Sequence, residues 1–126
     1  MKNRKFIALI AHDKKKAEMI SLVKDYQGLL KKENIIATKG TGKLIEESTR
    51  LKVKKLLSGD KGGDLQIGAE IASGNVKVVI FLRDPLTAHP HEPDINALLK
   101  VCDVHNIPLA TNLTTAKMLL RNLYSL

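Results

Sequence analysis

The chain has 126 residues, 44% of them apolar and 27% charged, enough for one hydrophobic core and too apolar for wholesale disorder. Its longest apolar runs, residues 6–11 and 78–82, fall far short of the roughly 20 residues that span a bilayer, which argues against a membrane partner. Net charge is +8 while aromatic residues make up only 3%, so an anionic partner is expected, and a base-stacking platform for nucleic acid is not.

Lys2, Arg4 and Lys5 ahead of the first apolar run imitate a secretory leader, but the run is too short and ends at His12-Asp13 without a small-residue cleavage site. One cysteine, Cys102, excludes an internal disulfide framework, and a cytoplasmic location is expected. The run 6–11 reads as a buried strand. Met19, Leu22, Val23, Tyr26, Leu29 and Leu30 then recur at the spacing of one amphipathic helix. Residues 35–37 predict a short strand running into a loop, Thr38-Lys39-Gly40-Thr41-Gly42, with a short helix over 44–49. A third strand is expected over 53–57, ending at Ser58-Gly59. Residues 60–64 read as loop and 65–73 as a helix stopped by Gly74-Asn75.

The strongest strand prediction is residues 76–82, β-branched and bounded by turn residues. Pro85, Pro90 and Pro93 make residues 84–93 an ordered loop, after which Ile95, Leu98, Leu99 and Cys102 share one helix face. A strand over 108–110 and a helix presenting Ala116, Leu119, Leu120 and Leu123 complete the chain. No repeat or linker interrupts it, so one domain over residues 1–126 is expected. Five strands alternating with helices predict an α/β fold: a mostly parallel five-stranded sheet between two helical layers, a three-layer αβα arrangement. Every polar cluster then falls after a strand, on the edge where open α/β sheets bind ligands.

The chemistry of those clusters is specific. Residues 38–42 are hydroxylic and glycine-rich ahead of a helix, which suits an anion, although a plain turn with a threonine cap reads equally well. Ser58-Gly59 is a second loop of that kind. Lys14, Lys15 and Lys16 crowd positive charge at a helix start, where a bound anion would offset it. Gly62-Gly63-Asp64 puts a carboxylate at a helix start, and on this motif alone an N-cap is the favoured reading. His89-Pro90-His91-Glu92-Pro93-Asp94 carries imidazoles and carboxylates suited to proton transfer. Metal binding through His12, His89, His91 and Asp94 is the rival reading. His105 and Cys102 read as structural.

Taken together these segments resemble the methylglyoxal synthase family. The resemblance rests on Ile10-Ala11-His12-Asp13 with Lys16, on residues 37–42, on Leu57-Ser58-Gly59 with Gly62-Gly63-Asp64, and on Asp84-Pro85-Leu86. Pro90-His91-Glu92-Pro93-Asp94 and residues 106–112 complete it. It implies the methylglyoxal synthase-like αβα fold and a lyase that converts dihydroxyacetone phosphate to methylglyoxal and inorganic phosphate. It implies no metal or organic cofactor, and a homohexamer inhibited by phosphate. Asp64 would be the base, with His91 and Asp94 in the acid–base machinery and His12 and His91 on the substrate's oxygens. Lys16, Thr38, Lys39, Gly40, Thr41, Ser58 and Gly59 would hold the phosphate.

The proton is expected to leave the carbon between the carbonyl and the phosphate ester, giving an enediolate. Two departures stand out. The family usually reads Thr-Gly-Thr-Thr-Gly where this chain has Thr38-Lys39-Gly40-Thr41-Gly42, so a strained or altered backbone is expected at Lys39. Asp60 replaces a common proline, which predicts a looser approach to Asp64. The alternative, a non-catalytic module binding a phosphorylated metabolite, needs the phosphate loops but not Asp64, His91 and Asp94 together. Nucleic-acid binding leaves the histidine–aspartate cluster without a purpose.

Overall fold

The run Phe6–Ala11 carries no polar residue on either face, so it needs cover on both, and parallel pairing with crossover helices supplies it. In the computed structural model, which describes residues 5–123, this run is β1, the middle of a five-stranded parallel sheet. The other strands are β2 (Asn34–Ala37), β3 (Lys54–Lys55), β4 (Val76–Leu82) and β5 (Leu109–Ala110), in the order β3-β2-β1-β4-β5. The helices are α1 (Lys16–Asp25), α2 (Gln27–Leu30), α3 (Lys39–Ser48), α4 (Gly63–Ala72), α5 (Glu92–Val104) and α6 (Leu113–Arg121). Lys2 and Arg4 of the leader-like start lie outside the described residues. Among the described residues no helix is long and apolar enough to cross a membrane.

The period of two along β1 separates two cores. Ile7, Leu9 and Ala11 pack with Met19, Leu22, Ile45 and Leu120 from α1, α3 and α6. Ala8 and Ile10 face Ile67 and Ile71 of α4 and Ile95, Leu98 and Cys102 of α5. The fold is therefore the expected three-layer αβα. Register is fixed by pairs such as Leu9↔Ala37 with β2 and Leu9↔Ile80 with β4. Because β2 and β3 lie to one side of β1 and β4 and β5 to the other, a crevice opens at the carboxyl ends of β1 and β4.

Several boundaries differ from expectation. The predicted helix over residues 19–30 breaks at Tyr26, which leaves the helical region at φ −112° and ψ 18° just before the poor helix former Gly28. The bend keeps Leu30 in the core. In the strand expected over 53–57, ladder pairing is confined to Lys54 and Lys55, and single bonds continue the contact, from the Leu56 N–H to the Ala37 carbonyl and from the Lys39 N–H to the Leu57 carbonyl. The short, lysine-bearing result is a poor template for edge-to-edge association.

The largest correction is the loop at 38–42, which is a helix start. Thr38 takes the extended N-cap conformation, and α3 begins at Lys39, with the Gly42 N–H donating to the Thr38 carbonyl at 2.8 Å. Lys39 is therefore unstrained; Asn106 is the one non-glycine among the described residues with positive φ. A 3₁₀ turn over Gly59–Lys61 similarly replaces part of the loop before α4. Gly62 turns the chain at φ 99°, and a Cβ on Gly63 would stand 2.0 Å from the Leu57 carbonyl oxygen. Asp60 is tied into this turn, its carboxylate accepting from the Ser58 hydroxyl at 2.8 Å.

Candidate active site

Over the carboxyl ends of β1 and β4 lies a cavity of about 460 Å³. One wall is built for an anion. Helix geometry leaves the first N–H groups of α3 without intrahelical partners, and Thr38 makes no side-chain cap bond to them. The Lys39 N–H is taken by the Leu57 carbonyl at 3.3 Å, which leaves those of Gly40 and Thr41 for a ligand. Lys16 lies across this helix start, its Cε 3.3 Å from where a Cβ on Gly40 would be. Its ammonium donates to the Ala11 carbonyl at 3.0 Å and to Asp13 at 2.7 Å, and this contact holds the Asp13 carboxyl below the usual range. Asp13 is 97% exposed, so the pair is well screened and the ammonium keeps charge for a ligand. Ser58 and Gly59 continue the wall.

The hydroxyls on this wall are less available than the sequence suggests. Thr41 accepts from the Ala11 N–H at 3.1 Å and lies 3.4 Å from both the Ala11 carbonyl and the Thr38 hydroxyl, which donates to it. Its side chain therefore ties the start of α3 to the end of β1. The Ser58 proton goes to Asp60.

Facing this wall is Asp64, in the first turn of α4 and fully buried. The N-cap of α4 is Gly62, so Asp64 does not cap; both its carboxylate oxygens are buried without a hydrogen bond. Burial pushes its carboxyl up, His91 opposes that and Asp94 adds to it. His91 Nε2 stands 3.6 Å from Asp64 Oδ2. Gly59 permits this closeness: a Cβ there would lie 3.1 Å from His91 Nε2 and 3.4 Å from Asp64 Oδ1.

His12 closes the site. The chain leaves β1 with the His12 N–H on the Leu82 carbonyl, and Nδ1 accepts the Asp84 N–H at 2.8 Å. An accepting Nδ1 places the proton of the neutral ring on Nε2, which is buried and unpartnered. Burial first, then His89, His91 and Arg83, lower the His12 pKa to about 4 against the pull of Asp84, so the ring is a neutral donor at physiological pH. A buried carboxylate, a neutral imidazole with an unpartnered Nε2, and an ammonium beside helix-start N–H groups are the kinds of group that enolising a phosphorylated carbonyl compound calls for.

Comparison with known proteins agrees. A family profile described as an MGS-like domain matches residues 18–111. The methylglyoxal synthase of Thermoanaerobacterium thermosaccharolyticum is 62% identical over 117 residues, covering 93% of this chain and 87% of that protein. That of Natranaerobius thermophilus is 59% identical over 116 residues, covering 92% and 97%. The crystal structure of methylglyoxal synthase from Elizabethkingia anophelis has a TM-score of 0.87 at 45% identity, covering 95% of this chain and 79% of that one. The chain belongs to the methylglyoxal synthase family. It is an enzyme of the lyase class.

Of the residues singled out by resemblance to methylglyoxal synthases, His12, Lys16, Thr38, Gly40, Thr41, Ser58, Gly59, Asp64 and His91 line the cavity. Lys39 does not: it is exposed, and its N–H is spent on Leu57. Asp94, half-buried in the first turn of α5, is also off the cavity wall and reaches Asp64 only through its charge. Among the wall residues outside that set are Asp84 and His89. Asp84 accepts from the Leu86 N–H at 3.1 Å and from the Thr87 side chain; these bonds, Thr87 first, hold its carboxyl below the usual range. The Asp-Pro dipeptide signalled this turn, but nothing local shows that its N–H reaches a residue 72 positions away. Among the described residues no group of three or more histidine, cysteine or carboxylate side chains is arranged to hold a metal ion. Cys102 is fully buried, its thiol pushed up to about 11, and His105 is exposed at the end of α5.

Proposed function

We propose that this chain, acting as one domain over residues 1–126, eliminates inorganic phosphate from dihydroxyacetone phosphate and releases methylglyoxal, with Asp64 as the base. The observation that carries the reading is the buried, unpartnered Asp64 carboxylate across one cavity from the start of α3 and Lys16. Asp64 takes a proton from the hydroxymethyl carbon. The C–H pair becomes a double bond to the carbonyl carbon, and the carbonyl oxygen gains the negative charge. His12 Nε2–H donates to that oxygen without first losing a proton of its own.

Electron balance corrects the carbon expected from the sequence. Removing a proton from the phosphate-bearing carbon would leave the ester on a vinyl carbon, with no route for the electrons to expel it. From the hydroxymethyl side the terminal hydroxyl loses its proton and becomes the aldehyde. The double-bond pair shifts toward the phosphate-bearing carbon, and the ester C–O bond breaks with its electrons on phosphate. What remains is the enolate of methylglyoxal, which takes up a proton in place of the one Asp64 removed and becomes methylglyoxal, while the proton of the terminal hydroxyl leaves with the phosphate. His91, on the cavity wall with its Nε2 3.6 Å from Asp64 Oδ2, serves the proton transfers at the substrate's oxygens.

Elimination requires the breaking C–O bond to stand out of the enediolate plane. Lys16, the Gly40 and Thr41 N–H groups and the Ser58-Gly59 turn hold the phosphate to fix that torsion, which is preorganisation of a reactive conformer. Thr38 and Thr41 shape the wall through their bonds to each other and to β1. Asp94 raises the basicity of Asp64 through its charge. The same cradle binds inorganic phosphate as product and competitor. Resemblance to the family supports a cytoplasmic homohexamer working without metal or organic cofactor. The test is to mix purified protein with dihydroxyacetone phosphate and assay both products with and without a chelator. Methylglyoxal and phosphate in equal amounts, unchanged by chelation, are expected; loss on chelation restored by one divalent ion would overturn the cofactor-free reading.

A further inference from the structure

His89 is the one imidazole on the cavity wall that the reaction leaves without a task. It lies nearly flat on His12, ring centroids 3.9 Å apart and planes 26° apart, with its own Nε2 buried and unpartnered. Core packing does not explain its place. The segment around it is a surface turn: Pro85, Leu86, Ala88 and Pro90 are exposed, Leu86 at 94%. The turn is folded back by Asp84, whose carboxylate accepts from the Leu86 N–H while its own N–H donates to His12 Nδ1. One aspartate thus pins an edge of the His12 ring and returns the chain so that His89 covers a face of it.

Without that cover the His12 ring is under-constrained. Its nitrogens carry one hydrogen bond, at Nδ1, and none at Nε2, so tilting of the ring about the Cβ–Cγ bond is left to packing to restrain. The contacts with Phe81, at 5.1 Å and 77°, and with His91, at 6.1 Å and 87°, are T-shaped, so His89 is the ring stacked on a face of His12. We infer that His89 is a positioning residue for His12: its ring fixes the plane in which His12 Nε2–H meets the substrate's carbonyl oxygen. This rests on the elimination reading for what Nε2–H meets, but the stacked geometry stands without it.

The test compares His89→Ala with His89→Phe, which keeps a flat ring and has no nitrogen. The alanine variant should lose about tenfold or more in kcat for methylglyoxal formation, with KM for dihydroxyacetone phosphate changed less than about threefold. The phenylalanine variant should recover kcat to within about threefold of wild type. Nitrogen-15 spectra of the ligand-free enzyme give a readout independent of turnover. His12 should show one sharp Nε2–H tautomer in wild type and His89→Phe, and an exchange-broadened ring in His89→Ala. Wild-type kcat in His89→Ala overturns the proposal. So does a phenylalanine variant as slow as the alanine one, because the nitrogen of His89 would then be what matters. If wild type itself releases no methylglyoxal, the elimination reading fails, and the nitrogen spectra alone decide the role of the stack.

Discussion

Asp64, the proposed base, also carries a cost in stability. A buried carboxylate without hydrogen bonds disfavours its charged form, so its folded pKa lies above the unfolded one. Such a group contributes stability below the unfolded pKa and loses it as pH rises through the folded value. Asp64→Asn should therefore reduce kcat to less than about a tenth of wild type while raising Tm at neutral pH, read by turnover and calorimetry on the same samples. His12 has the opposite sign. Its pKa falls from 6.5 to about 4 on folding, so the unfolded chain takes up the proton first as pH drops. The fold is penalised by up to about 3 kcal/mol between those values. His12→Gln should lose less Tm than wild type when pH is lowered from 7 to about 5, measured by thermal melts across that range. At this scale the sequence was half legible. Asp64 at a helix start reads as a cap because residue type and position are the same for cap and base. What separates the two is whether the carboxylate turns back to the N–H groups or into a cavity, and that depends on Gly59 and His91 from elsewhere in the chain.

The elements that bear these residues are set by close approaches at their ends. Gly63 opens α4 where a Cβ would meet the Leu57 carbonyl oxygen at 2.0 Å, too close for any side-chain adjustment to relieve. Gly63→Ala should cost several kcal/mol in urea unfolding, on the order of 3 or more, whereas Gly28→Ala, with open space around it, should be near neutral or stabilising. The start of α3 is held by Thr41 on the Ala11 N–H. Thr41→Val leaves that buried N–H unsatisfied, an expected loss of about 1–3 kcal/mol, and should raise KM for dihydroxyacetone phosphate as the anion wall moves off β1. Strands and helix faces were readable here because their apolar periods of 2 and 3.6 are local. The start of α3 was not, because two glycines in three residues argue for a loop in isolation. A Cβ at Gly42 would meet the Lys55 side chain at 2.6 Å and one at Gly40 would press on Lys16 at 3.3 Å, which favours glycine at these helix positions, most of all at Gly42.

Across the whole molecule, strand order does what no single element can. Placing β1 beside β4 brings His12 and Asp84 together from opposite ends of the first two-thirds of the chain. Placing β2 on the other side of β1 sets the anion wall next to them. The alternation of strands and helices announced this edge as the ligand site before any side chain was placed, and resemblance named the chemistry. Neither gave the neutral state of His12 or the turn that stacks His89 on it, which depend on long-range contacts. The central claim, proton removal by Asp64 followed by loss of phosphate, is tested most directly with dihydroxyacetone phosphate carrying two deuterium atoms on its hydroxymethyl carbon. Products from the wild-type enzyme would be read by NMR. Methylglyoxal with one deuterium left, on its aldehyde carbon, and slower turnover than with ordinary substrate are expected. Methylglyoxal that retains both deuterium atoms, or no methylglyoxal at all, would contradict the claim.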